Sequence, residues 1–180
     1  MPFGIKKILF FLMLPCLVFL SSCFKNSKTM EQMKPYTGPA MEIDNIETIY
    51  SDLAIPRVKL TGAKQIELQN GNREFPKGVV VEFYDESGAA SSVLTANFAR
   101  YYKDMNKYLV TGNVIVKSIG EHKTLKTEEL NWDPIRQKIF TEKFVTIETA
   151  KEILTGQGLE AKEDFSSYKI LKPTGILTVE

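Results

Sequence analysis

Few residues in this chain could make or break bonds. Its 180 residues include one histidine and two cysteines. His122 sits in "IGEHK" between Glu121 and Lys123 with no nucleophile pattern around it, and reads as a solvated loop residue. Glu128 and Glu129 are adjacent, so on a strand they face opposite sides and cannot pair as acid and base. There is no glycine-rich phosphate loop, no metal-spaced cluster and no Ser-His-Asp arrangement. The expectation is a protein without catalytic activity, cofactor or metal. A formal net charge of +1 offers no basic field for nucleic acid and no acidic block for cations.

Cys23 is the chemically loaded position. "MPFGIKKILFFLMLPCLVFLSSC" carries two lysines, an apolar run over residues 8–20, then small residues and the cysteine. Thirteen residues would rise about 20 Å as a helix, short of the ~30 Å hydrocarbon core, and Pro15 interrupts them. Residues 1–22 therefore read as a signal peptide, and Leu20, Ser21, Ser22 and Cys23 resemble a bacterial lipobox whose cysteine is lipidated. An ordinary secretory signal, or a short uncleaved anchor, fits the same residues. Cys16 is the other cysteine, so a mature chain starting at Cys23 could form no internal disulfide and would hold together by packing. Residues 23–40 lack an apolar period and end in turn formers, as a tether does.

The elements that follow, over residues 41–180, are apolar stretches cut by "NGNR", "DESG", "KDMNK", "IGEH", "DPIRQ", "TAKE" and "KPTG". The stretches are rich in Val, Ile, Thr, Tyr and Phe, and none is long enough for a crossover helix. The expected fold is all-β and antiparallel. "ANFARYYKDM" has Phe98, Tyr102 and Met105 at helical spacing, but a repeat overrides it. Leu94, Ala96, Ala99 and Tyr101 recur at a shift of 31 as Leu125, Thr127, Leu130 and Trp132. A further shift of 29 gives Leu154, Gly156, Leu159 and Ala161. Steps of two, three and two suit a strand kinked by one extra residue. The repeating unit is a bulged strand, a turn and a clean strand, stacked so that each copy continues one hydrophobic wall. Gly112, Gly156 and Gly158 are expected at bulges or tight turns, and Tyr101 and Trp132 in shared packing.

Five blocks in order carry a family resemblance. They are "IETIYSDLAIPRVKL", "FPKGVVVEFYDESG", "SVLTANFARYYKDMNKYLVTGNVIVKS", "LKTEELNWDPIRQKIFTEKFVTIET" and "LTGQGLEAKEDFSSYKI". Together they resemble the LptC family of lipopolysaccharide-export proteins, in a Bacteroidetes-type form. The resemblance implies an open, twisted antiparallel β-jelly-roll of stacked hairpin repeats, behind an N-terminal signal or anchor segment. It also implies a periplasmic, membrane-anchored protein on the inner membrane. Such a protein would take lipopolysaccharide from an inner-membrane ABC transporter and pass it to an LptA-like bridge protein, contributing to outer-membrane assembly.

On that resemblance, the lipid-trough candidates are Val81, Phe83, Leu94, Ala96, Val114, Val116, Leu125, Leu130, Val145, Ile147, Leu154 and Leu159. The C-terminal strand, with Ile170, Leu171, Ile176, Leu177 and Val179, is expected to be the partner edge. Tyr50, Ser51 and Asp52 fall on the family's early "YSD" pattern. The physical need for a trough is plain: exposing one acyl chain of about a dozen carbons costs on the order of 10 kcal/mol. The competing expectation is a membrane-anchored β-repeat lipoprotein that acts as a spacer or binds another lipid. Many relatives look helix-anchored, so a lipidated Cys23 would be a departure.

Overall fold

The computed structural model describes residues 36–178. The signal segment, Cys23, most of the tether and Val179 lie outside them. Among the described residues there is no helix, and so none long and apolar enough to cross a membrane.

Eleven strands follow one another: β1 (Met41–Asp52), β2 (Ile55–Glu67), β3 (Arg73–Phe75), β4 (Val79–Tyr84), β5 (Ala90–Ala96) and β6 (Phe98–Tyr102). They continue as β7 (Lys107–Ser118), β8 (Thr124–Asp133), β9 (Lys138–Glu148), β10 (Glu152–Lys162) and β11 (Tyr168–Thr178). All pairings are antiparallel and all belong to one sheet. β3 and β4 together line one side of β2, and β5 and β6 line one side of β7, so each pair is one strand interrupted by a kink. Counted that way the sheet is a plain meander, with β1 and β11 each paired on one side only.

Across β5 and β6, and in β8 and β10, the kinks fall where the repeat places them; β7, the strand expected to run clean, is kinked as well. "ANFARYYKDM" is strand broken at Asn97, not helix. β7, β8 and β10 shift register between Thr111 and Val114, Thr127 and Asn131, and Gln157 and Leu159. At the last of these Gly158 has φ +80°, a conformation that costs a side chain energy. At Gly156 a Cβ would stand 2.6 Å from the Lys172 carbonyl oxygen and run into Ile170, so β11 can approach only because nothing is there.

Each strand thus bends midway, and its halves belong to two walls. One inner row of the first wall runs through register partners across seven strands: Leu60, Val81, Leu94, Val116, Leu125, Ile147 and Leu154. The second wall carries Tyr101, Tyr108, Trp132, Ile139, Ala161 and Tyr168, also partner to partner. The walls meet, since the Phe83 and Trp132 rings lie edge to face at 5.4 Å. Their free ends form two rims. Turns at 53–54, 85–89, 119–123 and 149–151 edge the first wall, and turns at 68–72, 103–106, 134–137 and 163–167 edge the second.

One expected turn is absent. Lys172, Pro173 and Thr174 of "KPTG" lie inside β11, opposite the register shift at Thr155 and Gly156. An edge strand at a bulge tolerates a proline without breaking. The chain reverses instead at 163–167, where the Asp164 carboxylate accepts bonds from the Ser166 N–H at 2.9 Å and hydroxyl at 2.7 Å.

Candidate functional site

Between the two rims, toward β1, the seam holds a cavity of about 650 Å³. Its apolar lining includes Val58, Leu60, Phe75, Phe83, Tyr108 and Trp132, and its mouth carries charges such as Asp52, Arg57, Arg136 and Lys138. The size suits a small amphiphile or part of a larger one.

An aromatic ladder crosses the second wall along this cavity. Tyr101, Tyr108 and Trp132 are successive register partners with ring centroids 4.8 Å apart at both steps. Arg73 caps one end, its guanidinium 4.2 Å from the Tyr101 ring centroid. Glu163 caps the other, accepting the Trp132 indole N–H at 2.7 Å. Burial pushes the Tyr108 phenol above its ordinary value. Burial also raises the Glu163 carboxyl; the Trp132 bond opposes this and the Asp164 charge adds to it. Asp133 at the same rim goes the other way: burial raises it, but the Arg136 backbone N–H and the Lys107 ammonium outweigh that and leave it low.

Further along, the seam is shut. Lys123 from the first rim is buried, with its ammonium 5.4 Å from the ring centroids of both Phe165 and Tyr168 on the second. It also donates to the Ser166 carbonyl at 3.5 Å and pairs with Glu121. Phe165 is fully buried although its φ is +57°, so the turn accepts strain to drive a ring between the walls. Sequence reasoning had Lys123 as a flank of a solvated turn and gave Phe165 no part. A cation and an aromatic 42 residues apart on two loop tips carry no pattern to read.

Of the twelve trough candidates, Phe83 lines the cavity. Val81, Leu94, Ala96, Val114, Val116, Leu125, Leu130, Val145, Ile147 and Leu159 are core residues around and beyond it, and Leu154 is half-buried against that core. Tyr50 and Asp52 of "YSD" end β1 at the cavity mouth, where Arg57 stands 4.0 Å from Asp52. His122 is exposed. On β11, Ile170 packs on the core and Leu171 is exposed; Ile176 and Leu177 pair with Leu154 and Ile153 of β10.

The sequence reading also passed over Gln65. The two-three-two steps fit β2 as well: Leu60, Gly62, Gln65 and Glu67. Gln65 therefore takes the position that Ala99, Leu130 and Leu159 fill in the later copies. It is buried, it lines the cavity, and its Oε1 has no hydrogen-bond partner among the described residues. The signal is a polar residue in an apolar phase, and it is hidden because "RVKLTGAKQIEL", residues 57–68, reads only as a degraded copy ahead of the three clear ones.

No curated protein matches the chain. A family model described as lipopolysaccharide-assembly, LptC-related, matches residues 10–174. With a kinked antiparallel meander folded around an apolar cleft and covered by that match, the chain belongs to the LptC-related family of lipopolysaccharide-assembly proteins.

Proposed function

We propose that this protein takes lipopolysaccharide from an inner-membrane ABC transporter, shelters its acyl chains between the two walls, and hands it to an LptA-like periplasmic partner. Family membership makes it a component of lipopolysaccharide transport. The observation that carries the finer reading is the inner row from Leu60 to Leu154, apolar at every position across seven strands. A lipid with several acyl chains needs an apolar path of that continuity, because each buried methylene contributes about 0.8 kcal/mol. Entry is at the cavity, where Phe83, Leu60 and Trp132 are already next to open space. Passage beyond it requires the walls to part.

The two one-sided edges supply the connections. β1 faces the supplier and β11 the acceptor, each able to extend the sheet into a partner's strand. Cys23, lipidated after cleavage of residues 1–22, holds the domain at the periplasmic face of the inner membrane through the 23–40 tether. Energy for extraction comes from the transporter, and this chain performs no chemistry on the lipid.

Photocrosslinking in cells tests the reading. A crosslinkable residue at Phe83 or Val114 is expected to give lipopolysaccharide adducts, one at Leu171 an adduct with the bridge protein, and one at exposed Lys126 neither. Adducts at Phe83 and Val114 no stronger than at Lys126 would sink the transport reading in favour of a spacer. Mass spectrometry of the mature N-terminus is expected to start at a lipidated Cys23, and an intact Met1 would overturn the anchor.

A further inference from the structure

We propose that the second rim, toward β1, docks on the surface of an anionic phospholipid bilayer through the tips of its turns. The inference rests on the membrane anchoring read above and adds a second, non-covalent contact to it. Three turns make the contact, at 68–72, 103–106 and 134–137, and polar contacts join them into one surface. Asn72 Oδ1 accepts the Lys103 N–H at 3.0 Å, and the Lys103 stem lies over Gly71. Lys107, just after the second turn, has its ammonium 3.4 Å from the Asp133 carboxylate at the base of the third.

Two of these turns carry an apolar tip: Met105 is 57% exposed and Ile135 74%. Both turns are held from below. The Tyr101 hydroxyl donates to Asn106 Oδ1 at 2.9 Å, and Asp133 Oδ1 accepts the Arg136 N–H at 3.1 Å. The exposed charges around the tips are Lys103, Arg136 and Lys138 against Asp104, while Asp133 is buried and paired with Lys107 and Arg136. Apolar tips alone do not choose a partner, because the first rim has them too, in Leu53 and Ile119. There the exposed charges at the turns are Asp52, Asp85, Glu86 and Glu121 against Lys151. An anionic surface attracts the one rim and repels the other. Glu163 and Asp164 on the next turn of the second rim bound the basic stretch.

The place where the chain enters the domain selects a bilayer over a soluble acidic partner. The Ala40 N–H donates to the Glu67 carbonyl at 2.7 Å, and Gln69 Nε2 donates to the Gly38 carbonyl at 3.0 Å. Entry is therefore beside the 68–72 turn of this same rim. About fifteen residues separate Gly38 from Cys23, a reach of at most roughly 50 Å when fully extended. An anchor at Cys23 keeps the rim within that distance of lipid, and the high local concentration favours docking. Met105 and Ile135 enter the headgroup boundary while the lysines and Arg136 meet phosphate oxygens. Pro134, Ile135 and Arg136 also edge the cavity, so docking sets its mouth against the bilayer surface.

The test uses the full-length protein reconstituted in vesicles of phosphatidylcholine with brominated acyl chains, with and without added phosphatidylglycerol. Bromine quenches indole emission only at close range, and the parent protein, with Trp132 alone, supplies the background. Ile135→Trp is expected to lose most of its added emission when phosphatidylglycerol is present, and Leu53→Trp on the first rim to keep its own. Lys103→Gln and Lys138→Gln are each expected to lower the docked-to-free ratio, read from the quenched fraction, about fivefold, the worth of one cation at an anionic surface. Met105→Trp reports from the neighbouring turn if Ile135→Trp misfolds. Quenching at 135 no greater than at 53, or quenching at 135 that survives removal of phosphatidylglycerol, overturns the proposal and leaves the anchor standing. Protein that floats with neither kind of vesicle removes the anchor, and the proposal with it.

Discussion

The seam between the walls has two stretches built from the same kinked hairpin. Toward β1 the rims face each other with charged residues, among them Asp52, Asp85 and Arg57 on one and Arg136, Lys138 and Lys162 on the other. Hydrated groups of that kind do not pack, and a cavity of about 650 Å³ lies under them. Toward β11 the rims meet through Phe165, Tyr168 and the stem of Lys123, and Ile147, Leu125 and Leu159 beneath them are sealed from solvent. The inner rows hardly differ between the stretches. What differs is the pair of loop tips above them, so closure of this cleft is decided at its rim.

Removing the plug should produce the largest effect. Phe165→Ala keeps the strained φ and deletes only the ring, so the loss is packing. It should cost about 3 kcal/mol or more, measured by urea unfolding. The same variant should raise lipopolysaccharide crosslinking at Ile147 toward that at Phe83. A destabilised protein with unchanged crosslinking would mean the rims close without Phe165, and the contrast would lose its cause.

Next comes the kink that lets β10 bend beneath the plug. Gly158 has φ +80°, and an added Cβ would meet Leu171 at 3.0 Å. Gly158→Ala should cost about 1–2 kcal/mol by the same unfolding measurement. A neutral result would show that β10 can re-register without a left-handed residue at that point.

The open stretch has its own strain. Leu53 and Ala54 form the tip between β1 and β2 with φ values of 48° and 65°, and Leu53 is 88% exposed. That backbone suits Asn-Gly, so Leu53→Asn with Ala54→Gly should stabilise the fold by about 1 kcal/mol. If bridge or transporter capture falls while stability rises, the exposed leucine is a contact, and the strain is kept for it.

How far the sequence discloses this depends on the link in question. The kinked strands were legible because an inner row must stay apolar, and Leu125, Thr127, Leu130 and Trp132 repeat the steps of Leu94, Ala96, Ala99 and Tyr101. β1 is less legible, since it pairs on one side only and buries no residue fully. The reversal at 163–167 lost to "KPTG" because proline and glycine signal turns strongly, yet at a bulged edge both fit a strand. The cavity could not be read at all. It arises from which loop tips face each other, and that is fixed by strand lengths on either side of each kink.

The smallest effect tests the boundary between the two stretches, where Glu163 lies two residues before the plug. Its carboxyl is raised by burial, in spite of the Trp132 N–H it accepts. A carboxyl whose folded value lies above its unfolded one binds its proton more tightly in the native state. Its stabilising contribution is therefore complete below about pH 4.5 and is lost as pH rises through the folded value. Glu163→Gln keeps an oxygen for the Trp132 N–H and removes the poorly solvated charge. The variant should be more stable than the parent at pH 7, by less than about 1 kcal/mol, and the two should converge toward pH 4.5. Trp132 is the sole tryptophan, so its fluorescence in urea follows both curves at the boundary itself. A variant weaker than the parent at pH 7 would mean that the charged bond to Trp132 outweighs desolvation, so that Glu163 belongs with the closing contacts rather than with the hydrated groups that hold the rims apart.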